Sequence, residues 1–251
     1  MKYKALILDL DGTTVPSGRD GMPSKQVKKA INKAQAQGVK VCFATGRSLR
    51  FCKHLMSELN IQDPCVVNNG PEIYDPKNDK YIERVFISSA GQRAAIEIAQ
   101  RFGIKLRTSS DEFEMPLTAE SKLDDETVKL FVGSLTEHMA ISFSEELEAV
   151  EGISAHITTS WNQGVVDLMI TDAKASKKHG IEELLRILNV RKSEAIGVGD
   201  YHNDLPLFES VGFKVAMGNA PKELKDAADF VTGSIDEDGV AQAIDKLILS
   251  K

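Results

Sequence analysis

The segment Asp9-Leu10-Asp11-Gly12-Thr13-Thr14 sets two carboxylates on alternate residues. In an extended strand, alternate residues point to the same side. Carboxylates held that close repel, which raises a pKa unless a cation sits between them. A hard divalent ion such as Mg²⁺ fits, because it prefers oxygen ligands. Gly12 lets the backbone turn sharply and approach an anion. Asp9 can then act as a nucleophile and Asp11 as an acid and base. The plainer reading of the same residues is a turn and helix cap after a strand.

Three other groups could join them. In Thr45-Gly46-Arg47, a hydroxyl and backbone N–H groups at a helix start can hold an anion such as phosphate. The competing reading is an N-cap followed by an exposed arginine. Lys177 lies four residues before Ile181 and so shares the inner face of that helix. It is the preferred positive charge to offset Asp9 and a phosphate; Lys174 falls in the preceding loop and Lys178 points elsewhere. In Gly199-Asp200-Tyr201-His202-Asn203-Asp204, Asp200 can supply a metal oxygen and Asp204 can support it from behind. Asn203 offers amide donors to phosphate. His202 is a poorer choice for Mg²⁺ than an oxygen ligand.

These residues need a scaffold that ends its strands together. The apolar runs Ala5–Leu8, Val39–Ala44, Cys65–Val67, Ala195–Val198, Val215–Met217 and Phe230–Val231 are short and bounded by turn residues. That pattern fits strands buried on both faces of a parallel sheet. Between them lie helical stripes. Ser24 caps Val27, Ala30, Ile31 and Ala34, with Gly38 as the stop; Leu55, Met56 and Leu59 follow Arg47. Ser176 precedes Ile181, Leu184, Leu185 and Leu188. Alternating strand and helix predicts an α/β fold with a doubly wound parallel sheet. Ligands of such sheets sit at the carboxyl ends of the strands. The run ends here carry Asp9, Thr45, Asn68 and Asp200.

Residues 86–169 follow another pattern. One helix-like segment, Ala90–Phe102, closes at Gly103. Strand-like runs follow at Ile104–Arg107, Phe113–Pro116, Val128–Val132, Ser154–Thr158 and Val165–Ile170. Asp124–Glu126 and the acidic run Glu145–Glu151 read as solvated faces. The expectation is an inserted α+β cap at 86–169 on a core of 1–85 and 170–251. A hairpin of Glu72–Tyr74 and Tyr81–Arg84 leads toward it.

Composition narrows the function. The 251 residues are 42% hydrophobic and 27% charged, as in ordinary globular domains. A net charge of −6 argues against general binding to nucleic acid or to an anionic membrane. Cys42, Cys52 and Cys65 show no CxxC spacing; Cys42 and Cys65 sit in apolar runs, as core residues of a reducing compartment do. The apolar run before Asp9 is too short for a signal peptide or a membrane helix, so a cytoplasmic protein is expected. No P-loop, complete dinucleotide fingerprint, HExxH or GxSxG is present, and the histidines lack zinc spacing.

In this order the four groups resemble the haloacid dehalogenase (HAD) superfamily of phosphohydrolases. Val215-Ala216-Met217-Gly218-Asn219-Ala220, Ala228-Asp229-Phe230-Val231-Thr232 and Glu237-Asp238-Gly239-Val240 resemble its Cof-type subfamily IIB, which carries a C2B cap. The resemblance covers residues 1–85 and 165–251 by motif and the cap by position and length. Where the subfamily usually has Lys-Gly, this chain has Lys177-Lys178. The resemblance implies a HAD-like Rossmannoid core and a Mg²⁺-dependent phosphatase acting on a small phosphorylated metabolite, of the sugar phosphate or phosphoglycolate class. It implies that Asp9 forms an aspartyl-phosphate, that Asp11 protonates the leaving alcohol and then activates water, and that Lys177 neutralises charge. Thr45, Gly46 and Asn203 would bind phosphate. Asp9, Asp11 through its carbonyl, and Asp200 would hold Mg²⁺, with Asp204 behind them. Two alternatives stand beside it: a phosphosugar mutase resembling phosphomannomutase, and a non-catalytic ligand-binding protein. Substrate choice would rest in the cap, where His156, Trp161 and Asn162 are candidate contacts.

Overall fold

The computed structural model describes residues 2–109, 114–123 and 125–250; Phe113 and Asp124 lie outside them. The chain opens with β1 (Ala5–Leu8), α1 (Lys25–Ala36), β2 (Lys40–Phe43) and the short α2 (Lys53–Glu58). Ser24 starts α1 by accepting the Val27 N–H at 3.1 Å on its Oγ. The buried face of α1 is the expected stripe of Val27, Ala30, Ile31 and Ala34.

β3 (Cys65–Val67), β4 (Glu72–Asp75) and β5 (Lys80–Arg84) form a separate antiparallel sheet. This corrects the expectation that 65–67 is a strand of the parallel core. It joins that core through one bridge, Ala44 to Val66. Asn68, Asn69 and Gly70 all take positive φ after β3, and this tight turn sends the chain back antiparallel.

The inserted segment holds α3 (Ser89–Phe102), β6 (Leu106–Ser109), β7 (Glu114–Leu117), β8 (Leu130–Leu135), α4 (Glu137–Glu148), β9 (Ile153–Thr159) and β10 (Val166–Asp172). Gly103 ends α3 in the left-handed region, as its position predicted. The five strands pair antiparallel in the order β7-β6-β8-β10-β9. Helix α4 is a correction, because one helix was expected here and 145–151 was read as a solvated face. Its buried stripe is only Ala140, Phe143 and Leu147, while Met139 and Ile141 are exposed. Exposed apolar residues beside the stripe blur the period, and the acidic run is the end of that helix. β10 also continues to Asp172, beyond the boundary expected at 169.

The chain returns through α5 (Lys177–Ile187), β11 (Ala195–Gly199), α6 (Leu205–Ser210), β12 (Phe213–Ala216), α7 (Lys222–Asp226), β13 (Phe230–Val231) and α8 (Gly239–Ile244). The core sheet runs β13-β12-β11-β1-β2, every pair parallel. Alternation divides β1 between two cores. Leu6 and Leu8 pack with α1 and α8, while Ala5 and Ile7 pack with α5, α6 and α7. Burial on both faces explains why these strands read as unbroken apolar runs. The three cysteines are free and buried. Among the described residues, no helix is long and apolar enough to cross a membrane.

Candidate active site

The carboxyl ends of β1, β2 and β11 deliver Asp9, Thr45 and Asp200 to one edge of the core sheet. Helix α5 begins at its Ser176 cap, and its first residue, Lys177, points inward with 1% of its surface exposed. Its ammonium donates to Asp9 Oδ1 at 2.8 Å and to Asp204 Oδ1 at 2.6 Å. The other oxygen of Asp204 accepts the backbone N–H groups of Asp200 at 2.9 Å and Tyr201 at 3.1 Å. Asp204 therefore braces both the lysine and the loop that carries Asp200. Thr13 donates its hydroxyl to Asp200 Oδ1 at 2.7 Å, and Asn219 donates to Gly12 carbonyl at 3.0 Å and to Asp200 Oδ2 at 3.3 Å. Gly12 has φ +77°, and a side chain there would run into the Asp200 carboxylate.

Asp9, Asp200 and Asp204 present carboxylate oxygens within 4.8 Å of one another. Burial pushes the Asp9 carboxyl well above its ordinary range, and repulsion from Asp204 adds to it, against the pull of Lys177. Burial and the charge of Asp204 likewise push Asp200 up to about 7. Burial opposes the charge on Lys177, but Asp204 and Asp9 outweigh it and hold the ammonium protonated. Asp9, Asp11, Asp200 and Asp204 face Lys177 and Arg47, which leaves an excess of two negative charges when all are ionised. All donors in this cluster are hard oxygens. A divalent cation fits both the charge and the chemistry.

Asp11 points away from this cluster, toward the cap. Arg47, 4% exposed, donates Nε–H to Asp11 Oδ2 at 2.8 Å and Nη2–H to Oδ1 at 2.6 Å. Its own backbone N–H donates to Thr45 Oγ1 at 3.1 Å. Trp161, from the loop between β9 and β10, donates Nε1–H to the same Asp11 Oδ1 at 3.2 Å. The Arg47 guanidinium lies 5.3 Å from the Trp161 ring centre, and Phe51 meets that ring edge-on at 5.4 Å. A cavity of about 120 Å³ lies between these groups and the cap, and Asp9, Asp11, Thr45, Gly46, Trp161 and Asn203 line it.

The structure thus gathers Asp9, Asp11, Thr45, Gly46, Lys177, Asp200, Asn203 and Asp204 at one edge of the core sheet. Of the cap candidates, only Trp161 lines the cavity. Asn162 instead donates to Ser134 Oγ at 2.9 Å, farther out. His156 is half-buried outside the cavity, and burial lowers its pKa. His202 is exposed and stacks edge-on with Tyr201.

Sequence reasoning gave no role to Arg47, Thr13 or Asn219, although all three lie inside the motifs it used. Tyr201, inside the 199–204 motif, also lines the site, as do Lys129, Thr158 and Met169, which no local pattern marks.

A strand-end acid pair, a buried lysine, a hydroxyl-amide loop and an inserted cap together define a class. Residues 6–244 match the family of haloacid dehalogenase-like hydrolases, and the chain belongs to it. With these residues in place, it is a phosphoric monoester hydrolase of that family. It is similar to 5-amino-6-(5-phospho-D-ribitylamino)uracil phosphatase YwtE of Bacillus subtilis, at 26% identity over 98% of each chain. It is also similar to phosphoglycolate phosphatase 1 of Saccharolobus solfataricus, at 26% identity over 98% of this chain and 96% of that one. Among solved structures, the HAD phosphatase BT1666 of Bacteroides thetaiotaomicron superposes with a TM-score of 0.82 at 25% identity, covering 97% of this chain and 94% of that one.

Proposed function

We propose that this hydrolase cleaves monoesters of small phosphorylated metabolites through an aspartyl-phosphate on Asp9, with Mg²⁺ as its cofactor. The convergence of Asp9, Asp200, Asp204 and Lys177, drawn from far-apart stretches of chain, carries the reading. Asp9 and Asp200 would hold the ion with the Asp11 carbonyl, and Asp204 would steady them. When bound, the ion offsets negative charge on the phosphoryl group and on the carboxylates.

The protein's own groups perform the rest. Asp9 attacks phosphorus, the P–O bond to the alcohol breaks, and Asp11 gives that alcohol its proton. Asp11 then takes a proton from water, which attacks the phosphorus of the aspartyl-phosphate, releasing phosphate and restoring Asp9. Lys177 stays protonated and meets the charge spread over the phosphoryl oxygens. Thr45, Gly46 and Asn203 hold those oxygens for in-line attack. Two contacts from Arg47 and one from the Trp161 indole fix the Asp11 carboxyl at the cavity.

The substrate class of the relatives supports this reading: two of them are phosphatases of small phosphorylated metabolites by name. The test is release of inorganic phosphate from a panel of sugar phosphates, polyol phosphates and phosphoglycolate, with and without Mg²⁺. Metal-dependent release from at least one compound is expected. A mutase would instead return the phosphoryl group to sugar, and a binding protein would release none.

A further inference from the structure

Three stretches near the end of the chain, 215–220, 228–232 and 237–240, carry none of the groups assigned to the reaction. In the fold they interlock beside the acid cluster. Met217 N–H donates to the Gly199 carbonyl at 3.0 Å, so the end of β12 lies against the end of β11. Gly218 N–H donates to the Gly233 carbonyl at 2.9 Å, and a Cβ on Gly218 would come within 2.6 Å of the Ser234 nitrogen. Thr232 donates its hydroxyl to the Gly239 carbonyl at 2.7 Å, and Glu237 accepts the Ser234 N–H at 2.9 Å. These contacts fix the turn after β12, and that turn presents Asn219.

Asn219 holds three separate loops. Its Oδ1 accepts the Ile235 N–H at 2.9 Å. Its Nδ2 donates to the Gly12 carbonyl at 3.0 Å and to Asp200 Oδ2 at 3.3 Å. One donor on one side and two acceptors on the other settle which end of the amide faces which loop. Thr13 donates to the other oxygen of Asp200 at 2.7 Å. Asp200 is thus gripped on both oxygens, once by Thr13 and once by the amide that also holds Gly12. Both donors are neutral. A lysine or arginine at 219 would cancel charge that draws a dication, whereas the amide orients the carboxylate and leaves that charge intact.

We propose that Asn219 is a positioning residue for the ion site: its amide clamps the loop of Asp11 and Gly12 to Asp200, and so sets the affinity and the selectivity of the site for Mg²⁺. The inference rests on the Mg²⁺-dependent phosphatase reading above and adds the device that shapes its ion site. Asp200 and the Asp11 carbonyl stand on loops that follow different strands, so the spacing between them depends on what joins those loops. Mg²⁺ is small and demands near-ideal octahedral geometry, whereas Ca²⁺ accepts a looser set of oxygens. Loosening the clamp therefore costs Mg²⁺ more than Ca²⁺. The hydrogen-bond partners of ligating carboxylates carry much of a metal site's affinity. Asn219 itself is exposed, so truncating it strands no buried amide and lets water take its place. Water would satisfy the oxygens but would not join the loops.

Isothermal titration calorimetry of the substrate-free protein with Mg²⁺ and with Ca²⁺ tests the clamp. In Asn219→Ala the Mg²⁺ dissociation constant should rise at least about tenfold and the Ca²⁺ constant less than about threefold. In hydrolysis of p-nitrophenyl phosphate, the Mg²⁺ concentration for half-maximal rate should rise in step, while kcat at saturating Mg²⁺ stays within about threefold of wild type. Ile235→Pro deletes the N–H that orients the amide and leaves Asn219 in place. Proline suits this position, the first of a short helical turn after Ser234, which is extended at φ −71° and ψ 174°. It should raise the Mg²⁺ constant about threefold, as for loss of one hydrogen bond. An unchanged Mg²⁺ constant in folded Asn219→Ala, an equal loss for both ions, or a kcat that stays depressed at saturating Mg²⁺ overturns the clamp. If Asn219→Ala does not fold, Ile235→Pro decides alone, and an unchanged Mg²⁺ constant there overturns it. Wild-type protein that binds no Mg²⁺, or binds it and frees no phosphate from any ester, would instead overturn the reading beneath the clamp.

Discussion

Lys177 reaches Asp9 across 168 positions of sequence, its ammonium 2.8 Å from the Asp9 carboxylate inside a fully buried pair. The same ammonium holds Asp204, so one lysine ties Asp9 to the loop that carries Asp200. Replacing it leaves two buried carboxylates facing each other. Lys177→Met should lower kcat about 10²- to 10³-fold, the range for losing one preorganised charge at a transition state. The metal-free fold should lose about 3 kcal/mol in denaturant titrations, the usual cost of stranding a buried charge.

The raised pKa of Asp200, about 7, sets a pH signature. The folded metal-free protein holds that proton more tightly than the unfolded chain, whose aspartates titrate near 4. Stability from this group is therefore present at low pH and is lost as pH rises from about 4 to about 7. The metal-free protein should lose thermal stability across that window, and Mg²⁺ should restore more of it at pH 7.5 than at pH 5.5. Scanning calorimetry with and without metal at several pH values checks both slopes. A metal effect that does not grow with pH contradicts the assignment.

Asp9→Asn removes the proposed nucleophile while relieving repulsion within the acid cluster. Turnover should fall about 10⁴-fold, as for loss of a nucleophile elsewhere. The thermal midpoint of the metal-free variant should equal or exceed that of the wild type. Steady-state kinetics and a melt together make the check, and full activity in the purified variant would refute the role.

Trp161 is the single tryptophan, 42% exposed, and it touches Asp11 from the cap. Its fluorescence should change when inorganic phosphate and Mg²⁺ fill the cavity. Trp161→Phe keeps an aromatic ring beside Arg47 and Phe51 but loses the indole donor. It should slow alkyl esters about tenfold, within the range of acid-base effects. p-Nitrophenyl phosphate, whose leaving group needs no proton, should be slowed less. Equal effects on both esters would show that the indole does not act through Asp11.

Much of the core was legible because its signals are local. The run Ala5–Leu8 ending at Asp9, the Ser24 and Ser176 caps, and the inward spacing of Lys177 and Ile181 each depend on a few neighbouring residues. Cys65–Val67 looked like a core strand because a buried antiparallel strand has the same apolar composition; its partner is decided by the turn at 68–70. Helix α4 was missed because Met139 and Ile141 expose apolar surface beside its stripe. The Arg47–Asp11 pair and the Trp161 contact join residues 36 and 150 positions apart, distances at which no periodicity carries information. Likewise, Lys129 and Thr158 face the cavity through strand register, which appears only once the sheet is assembled.

The central claim is that the Asp9 side chain becomes esterified by the phosphoryl group during turnover. Rapid acid quench during hydrolysis, followed by borohydride reduction and peptide mass spectrometry, tests it directly, because an acyl phosphate on aspartate is reduced to homoserine. The expected result is homoserine at position 9 in samples quenched during turnover and none in Asp9→Asn. Turnover with position 9 unmodified, or with homoserine at position 11 or 200 instead, would contradict the account.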